Sequence, residues 1–487
     1  MGVLQGLEPE KVFYYFEEIC NIPHGSGNTQ KISNYLVSFA KERGLYHYRD
    51  EVGNVIIIKE AAKGYENSDP VMIQGHMDMV AVKKPDCDID MKTQGLKLKV
   101  SEDKIYAEGT SLGGDDGIAV AYGLALLDDV NARHPRIELV ITVDEEVGMD
   151  GARVIDLSCC RATTMINIDS EEEGIFLAGC AGGARVNFSL PYEEELTGGI
   201  HCIIKVAGLI GGHSGVEIHK ERGNANVLLG RVLFNLSEKI KFRLISLEGG
   251  LADNAISREA SAEIVLTDEN AMKEAEQTLQ AFTEEINRDL QREFAEKDPT
   301  VFVETVCVEK AEKNAVKEED TRKIIAFLRA IPNGVQAMSG AMPGLVETSL
   351  NLGILCCKEG TATIGISVRS SYESAKEDLI SRLKALAGLA GADVNVAGDY
   401  PGWAFKTNSP LREKMIKIYR EMYHKEPEIQ AIHAGLECGL FAAKIPELDC
   451  VSMGPDMKNI HTTEEELSIS STKRVWEFLQ KLLEDMK

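Results

Sequence analysis

The chain has 487 residues, of which 44% are hydrophobic and 27% charged, and its formal net charge at pH 7 is −25. That length exceeds one ordinary hydrophobic core and implies at least two domains of a soluble globular protein. An acidic excess of this size argues against nucleic acid and against an anionic membrane as partners, because both would repel the chain.

The opening segment MGVLQGLEPEKVFYYFEEIC carries acids near its start and lacks a basic flank followed by an apolar core, so it does not read as a signal peptide. No run approaches the ~18 uninterrupted apolar residues of a membrane span. Gly2 follows Met1, but Gly6 stands where a myristoylation signal wants Ser or Thr. The 11 cysteines are odd in number and form no C-x-x-C pair, which suits reduced thiols in a cytoplasmic protein.

In chain order, KVFYYFEEI and TQKISNYLVSFAKERG have the 3.6-residue period of amphipathic helices, the second ending at Gly44. NVIIIKE, PVMIQGH, RIELVITVDEE and TTMINIDS read as short Val/Ile-rich strands, and DDGIAVAYGLALLDDV between them as a buried helix opening at Asp115 and Asp116. Strands alternating with helices predict an α/β domain with a largely parallel sheet, whose ligands gather at the carboxyl ends of the strands. From about Ala184 the texture changes to alternating strands: ARVNFSLPY, HCIIKVAGL, ASAEIVLTD, TVFVETVCVEKA, LVETSLNLGILCC and TATIGISVRSS. Long charged helices such as DENAMKEAEQTLQAFTEEINRDLQREF separate them, which predicts an α+β domain on antiparallel sheets. After DYPGWAFKTNSPLREKM the helix and short-strand alternation returns. The expected layout is one domain inserted into another: residues 1–184 and 399–487 form the α/β domain, and 185–398 the insertion.

Metal-capable groups collect at the ends of these elements. QGHMDMV supplies His76 and Asp78, GGDDG supplies Asp115 and Asp116, VDEEVG supplies Glu145 and Glu146, NIDSEEEG supplies Asp169, and GPDMKNIHTTEEE supplies His461. Imidazole mixed with carboxylate suits borderline or hard divalent cations, whereas a structural zinc site would favour Cys. In His-x-Asp on a strand both side chains face the same way, so His76 could bind a metal while Asp78 orients it. At a turn, two adjacent glutamates could take different roles, one on a metal and one as a general base with a raised pKa. Each short motif alone also fits an ordinary acidic loop; their shared position at strand and helix ends is what sets them apart.

The ordered set GHMDMV, TSLGGDDG, VDEEVGMDGA, NIDSEEEG, GGHSG and IHTTEEE resembles the dizinc peptidases of the aminoacylase and carboxypeptidase superfamily. NIPHGSGN, GGHSGVEIHKERGNAN, HAGLECGLF and SMGPDMKNIHT are similar to its aminoacyl-histidine dipeptidase branch, from about residue 8 to the C-terminus. The resemblance implies a zinc-peptidase-like catalytic domain with a mostly parallel mixed sheet flanked by helices, plus an inserted α+β lid. It implies that Asp115 bridges two divalent ions, zinc first with manganese or cobalt as alternatives. His76 and Asp169 would complete one position, and Glu146 and His461 the other. Glu145 would be the general base and Asp78 would orient His76. Asp116 stays outside the ligand set, and Gly114 stands where relatives commonly have Ala. The activity implied is hydrolysis of unblocked dipeptides, including Xaa-His pairs such as β-alanyl-histidine, with a small peptide as the partner and a homodimer left open.

His213 in GGHSG is the expected lid donor to a developing oxyanion. Asn254 in ADNAISRE and Arg369 in ISVRSS lie beside lid strands, and Arg can clamp a substrate carboxylate with two hydrogen bonds. His433 and Glu437 in HAGLECG, four residues apart, would share one face at the opening of a helix and line the pocket. His24 reads as a structural loop residue, and the acidic runs EEEL from Glu464 and YEEEL with Glu193, Glu194 and Glu195 read as solvated faces. The alternatives are a tripeptidase, amino-acid deacylase or desuccinylase on the same fold, and a non-catalytic metal-dependent peptide sensor or carrier.

Overall fold

The computed structural model describes residues 2–267 and 272–487. The chain divides into two compact units: Met1–Cys180 with Trp403–Ala431 and Leu436–Lys487, and Ala181–Gly402 with Ile432–Gly435.

The first unit is built on an eight-stranded mixed sheet. Its centre consists of Ile137–Thr142, Val71–His76, Thr164–Asn167 and Asp449–Ser452, all parallel to one another. Antiparallel pairing is confined to the flanks, where Val55–Lys59 pairs with Ile137–Thr142 and Tyr46–Arg49 with Val55–Lys59. The central strands VMIQGH and IELVIT are buried at every position, as strands covered on both faces must be. Among the covering helices, Gly114–Asp128 is buried from Gly114 to Leu127. Its apolar residues face every direction, so only a central location satisfies it. Tyr122 on this helix stacks on Trp476 of the helix Ile469–Glu484 at 5.9 Å.

A small four-stranded sheet accompanies the large one. It joins Leu98–Ser101 and Lys104–Ala107 to the short pair Met457–Lys458 and Glu466–Ser468. These two- to four-residue strands carry too few side chains for a period-two signal, so the sequence reading passes over them. Their consequence is functional: the turn joining the last two strands carries His461.

The second unit is a nine-stranded sheet whose pairings are all antiparallel. The helices Ala225–Ser237, Met272–Glu293, Glu318–Ala330 and Glu373–Ala390 supply the apolar faces that complete its core. The long charged helix read from Asp268 is present over Met272–Glu293; its first four predicted positions, 268–271, lie outside the described residues. No disulfide occurs among the described residues, and all 11 cysteines are free thiols.

Strand Val71–His76 and helix Gly114–Asp128, which bring His76 and Asp115 to the same place, touch through Gly75. A Cβ there would stand 2.4 Å from Asp116 Oδ2 and 2.6 Å from the Ala119 Cβ. Gly75→Ala is expected to destabilise the chain by about 1–3 kcal/mol through overpacking, read as a lower denaturant midpoint with an unchanged slope.

Candidate metal centre

His76 ends its strand with its imidazole 1% exposed. Its Nδ1 faces Asp78, 2.9 Å from the backbone carbonyl and 3.4 Å from Oδ1. A proton held on Nδ1 by these acceptors leaves the Nε2 lone pair free. Nε2 lies 3.1 Å from Asp115 Oδ1 and 3.7 Å from Asp169 Oδ1. Asp169 follows the parallel strand Thr164–Asn167, next to that of His76. On the other side of Asp115, Oδ2 is 3.1 Å from His461 Nε2. One carboxylate therefore spans two histidines. The Asp115–Asp116 peptide is cis, and the two side chains diverge: Asp116 Oδ2 accepts the His76 backbone N–H at 3.0 Å.

Glu145 and Glu146 sit just past the strand Ile137–Thr142, and their turn is held from below. Asp78 Oδ1 accepts the Glu145 N–H at 3.0 Å, and Asp78 Oδ2 accepts the Ser26 hydroxyl at 2.8 Å. Asp144, at φ 54, accepts the Gly27 N–H on its carboxylate at 2.7 Å. The segment PHGSG, read as a structural loop, thus supports the acidic turn through Ser26 and Gly27. His24 is buried, with Nδ1 2.6 Å from the Ile22 carbonyl. Deeper still, Glu437 Oε2 accepts from Thr142 Oγ1 at 2.7 Å and Gln74 Nε2 at 2.5 Å, and Gln74 in turn accepts from Asn167.

The donor atoms meet the demands of divalent cations. His76 with Glu145 and Glu146, and Asp115 with Glu146 and His461, form groups whose ligand atoms lie within 4.8 Å of one another; a third joins His76, Asp116 and Asp169. His461 Nε2 approaches Glu146 Oε1 to 2.9 Å, yet Glu146 Oε1 has no hydrogen-bond partner. An imidazole nitrogen and a carboxylate oxygen this close with no hydrogen bond between them suit a divalent cation, which takes both donor types. Charge leads to the same conclusion, since Asp115, Glu145, Glu146 and Asp169 face only two imidazoles.

The protonation tendencies follow this crowding. Burial opposes the charged form of Asp115, but His461 and His76 hold its carboxyl well below the ordinary range. Burial pushes Asp169 up to about 6 and Glu437 up to about 8. Contacts with Asp115 and then Glu146 raise His461 to about 10. Burial raises Glu145 well above an ordinary glutamate, against the pull of His76, and Asp169, Glu437 and Glu146 add to the rise.

A second cluster lies in the other unit. His213 Nδ1 accepts the N–H groups of Gly215 and Val216, each at 3.1 Å, so the proton of the neutral ring is on Nε2. Burial, then the Arg369 charge, pull His213 below the ordinary histidine value. The same two causes bring His433 down to about 3, and its Nε2 lies 2.7 Å from Ser349 Oγ. Arg369 donates through Nη1 to Tyr400 at 3.0 Å, while its Nε is buried with no hydrogen-bond partner among the described residues. A Cβ on Gly215 would meet the His433 carbonyl, His213 and Arg369 within 3.2 Å, so the glycine permits this convergence. Asn254 has an exposed side chain; its carbonyl accepts the Ser214 N–H at 2.8 Å.

Two expectations need correction. His433 and Glu437 do not share a helical face, because the helix starts at Glu437 and His433 precedes it in the chain segment assigned to the other unit. The four-residue spacing misled because Gly435 and an extended Leu436 lie between them. Glu465, read as part of a solvated acidic run, is only 3% exposed, while its neighbour Glu464 keeps 66% of its side chain exposed. The residues missed by sequence reasoning are the supports Ser26, Gln74, Thr142, Asn167, Ser349 and Tyr400. They are ordinary polar residues in strands and loops, and only Ser26, between two glycines, carried a local signal.

Residues 72–485 match the model of Peptidase family M20/M25/M40, and the chain belongs to this family of peptide-bond hydrolases. It is 39% identical over 490 residues to the cytosol non-specific dipeptidase of Escherichia coli (strain K12), covering 100% of this chain and 99% of that protein. The crystal structure of the aminoacylhistidine dipeptidase from Vibrio alginolyticus superposes with a TM-score of 0.92 at 36% identity, covering 99% of this chain and 98% of that one. An aminopeptidase of Bacillus cereus shares the fold at a TM-score of 0.57 and 16% identity, covering 99% of each chain. No helix among the described residues is long and apolar enough to cross a membrane.

Asp78 lies against the His76 ring and accepts the Glu145 N–H, so Asp78→Asn should weaken divalent-cation retention roughly 10–100-fold. Competition with a chelator on the purified variant measures this directly.

Proposed function

We infer that this peptidase is a metal-dependent dipeptidase acting on unblocked dipeptides, Xaa-His pairs among them, in the cytoplasm. The observation that carries the reading is Asp115 suspended between His76 and His461, with Glu145 beside His76 and Glu146. Full-length similarity to two proteins named as dipeptidases supports it. His76, Asp169 and Asp115 would hold one divalent ion, and Asp115, Glu146 and His461 a second; zinc, manganese and cobalt all suit such donors. A bound cation pair supplies Lewis acidity, which acidifies water and polarises a carbonyl.

The chain's own residues do the rest. Glu145 is fixed through its backbone by Asp78, and burial gives its carboxylate the basicity to take a proton from the attacking water. It then hands that proton to the departing amine. His213 of the second unit carries its ring proton on Nε2 and is the donor we assign to the oxyanion developing on the scissile carbonyl, from the same chain or from the second chain of a dimer. Arg369, with an uncommitted Nε, and the neutral His433 offer donors to the free carboxylate that every dipeptide carries. Glu437 is enclosed by Gln74 and Thr142, and its role is support behind the strand ends that carry His76 and Glu145.

Glu145→Ala should lower kcat at least 10²–10⁴-fold while leaving two bound metal equivalents, checked by elemental analysis beside turnover. His213→Ala should lower kcat roughly 10²–10³-fold with an unchanged melting temperature. A panel of dipeptides, tripeptides and N-acyl amino acids should show dipeptides cut fastest; faster cleavage of tripeptides would replace this reading with a tripeptidase.

A further inference from the structure

We propose that Glu465 is a positioning residue for the metal centre, its carboxylate locking the turn that bears Asp115 to the turn that bears His461. Glu465 Oε2 accepts the N–H groups of Leu112 at 2.7 Å and Gly113 at 3.0 Å. Its Oε1 accepts those of Gly114 at 2.8 Å and Asp115 at 3.4 Å. Four successive amides thus curl around one buried carboxylate.

The backbone is shaped for this grip. Gly113 has φ 69, a left-handed conformation that turns neighbouring N–H groups to the same side as an anion-binding nest. These amides belong to the turn that leads into the helix, since Asp115 and Asp116 themselves are not in helical conformation, and their N–H groups have no partner inside the helix. At Gly114 a Cβ would stand 3.2 Å from Glu465 Oε1 and 3.1 Å from Met457 Sδ, so a bare backbone keeps the carboxylate close.

The other end of the clamp is the His461 turn. Glu465 lies four residues after His461, at the foot of the hairpin formed by Met457–Lys458 and Glu466–Ser468. His461 itself has φ 62 and a side chain 44% exposed, so packing does little to hold its imidazole. The hairpin is held at its strands by Lys104–Ala107 and by the Glu171 carbonyl, and the Glu465 carboxylate is the contact that ties it to the Asp115 turn itself. His76 has no such need, because a buried central strand delivers it and Asp78 fixes its ring. Loss of the clamp should therefore harm the Asp115–Glu146–His461 position more than the other, which shares Asp115 but keeps His76 on its buried strand.

This inference rests on the two-cation reading above, and one set of titrations separates the two. The metal-free full chain is titrated with Zn²⁺ against a chelator, and exchange of the Leu112–Asp115 amides is followed in the same metal-free protein. The wild type should take two equivalents. Glu465→Gln keeps the size of the side chain but turns a donor towards two of the four amides. The first equivalent should then bind nearly as in the wild type and the second roughly 10–100-fold more weakly. The four amides should exchange roughly tenfold faster or more without metal. Glu465→Asp keeps the charge on a shorter arm and should fall between the two, and it carries the test if the Gln variant fails to fold. Two equivalents bound by either variant with wild-type affinity, even at a lowered melting temperature, would reduce Glu465 to a helix cap and overturn the proposal. A wild type binding fewer than two equivalents would overturn both readings.

Discussion

Several carboxylates forced together at the ends of buried strands are the constraint on which the rest of this structure depends. Asp115, Glu145, Glu146 and Asp169 occupy a space with little access to water, and their mutual repulsion grows as the local dielectric falls. Two imidazoles do not balance them. Such an arrangement persists only if the scaffold holds the side chains where they would not settle alone, or if cations neutralise them. The parallel centre of the first sheet provides the scaffold by ending neighbouring strands at His76, at Thr142 before the glutamates and at Asn167 before Asp169.

The acids of this region fall into two groups by their hydrogen bonds. Asp78, Asp144 and Glu465 accept from backbone N–H groups, and Asp78 also from the Ser26 hydroxyl, whereas Asp115, Asp169 and Glu146 approach the imidazoles. The first group fixes the turns; the second uses the positions so fixed. A carboxylate that accepts several backbone hydrogen bonds is held far more rigidly than one facing solvent, because moving it would strand buried donors. Precision at the centre is therefore set one layer outside it.

The reading of strands and helices succeeded where apolar periodicity was strong. Val71–His76, Ile137–Thr142 and Thr164–Asn167 were visible as β-branched runs, and Gly114–Asp128 as a continuous apolar helix. It failed at the hairpin around His461, whose strands of two and three residues have no period to detect. The error over Glu465 has the same origin. In EEEL the three acids look equivalent, and only the fold shows that one points inward at the amides of residues 112–115 while its neighbour meets solvent. The helical face assigned to His433 and Glu437 assumed a helix that begins four residues later than supposed.

The sequence by itself determined the chemistry on offer: two histidines and a set of acids at the ends of predicted elements, in the order of a peptidase family. It could do so because donor type and strand termination are local properties written in adjacent residues. Which carboxylate stands between the two histidines, which contacts the His76 ring and which accepts the amides of residues 112–115 is seen in the tertiary structure. Those roles depend on partners tens to hundreds of positions away, as in the reach of Glu465 to Leu112 or of His461 to Asp115. A carboxylate's function lies in what it faces, and that is a property of the folded chain.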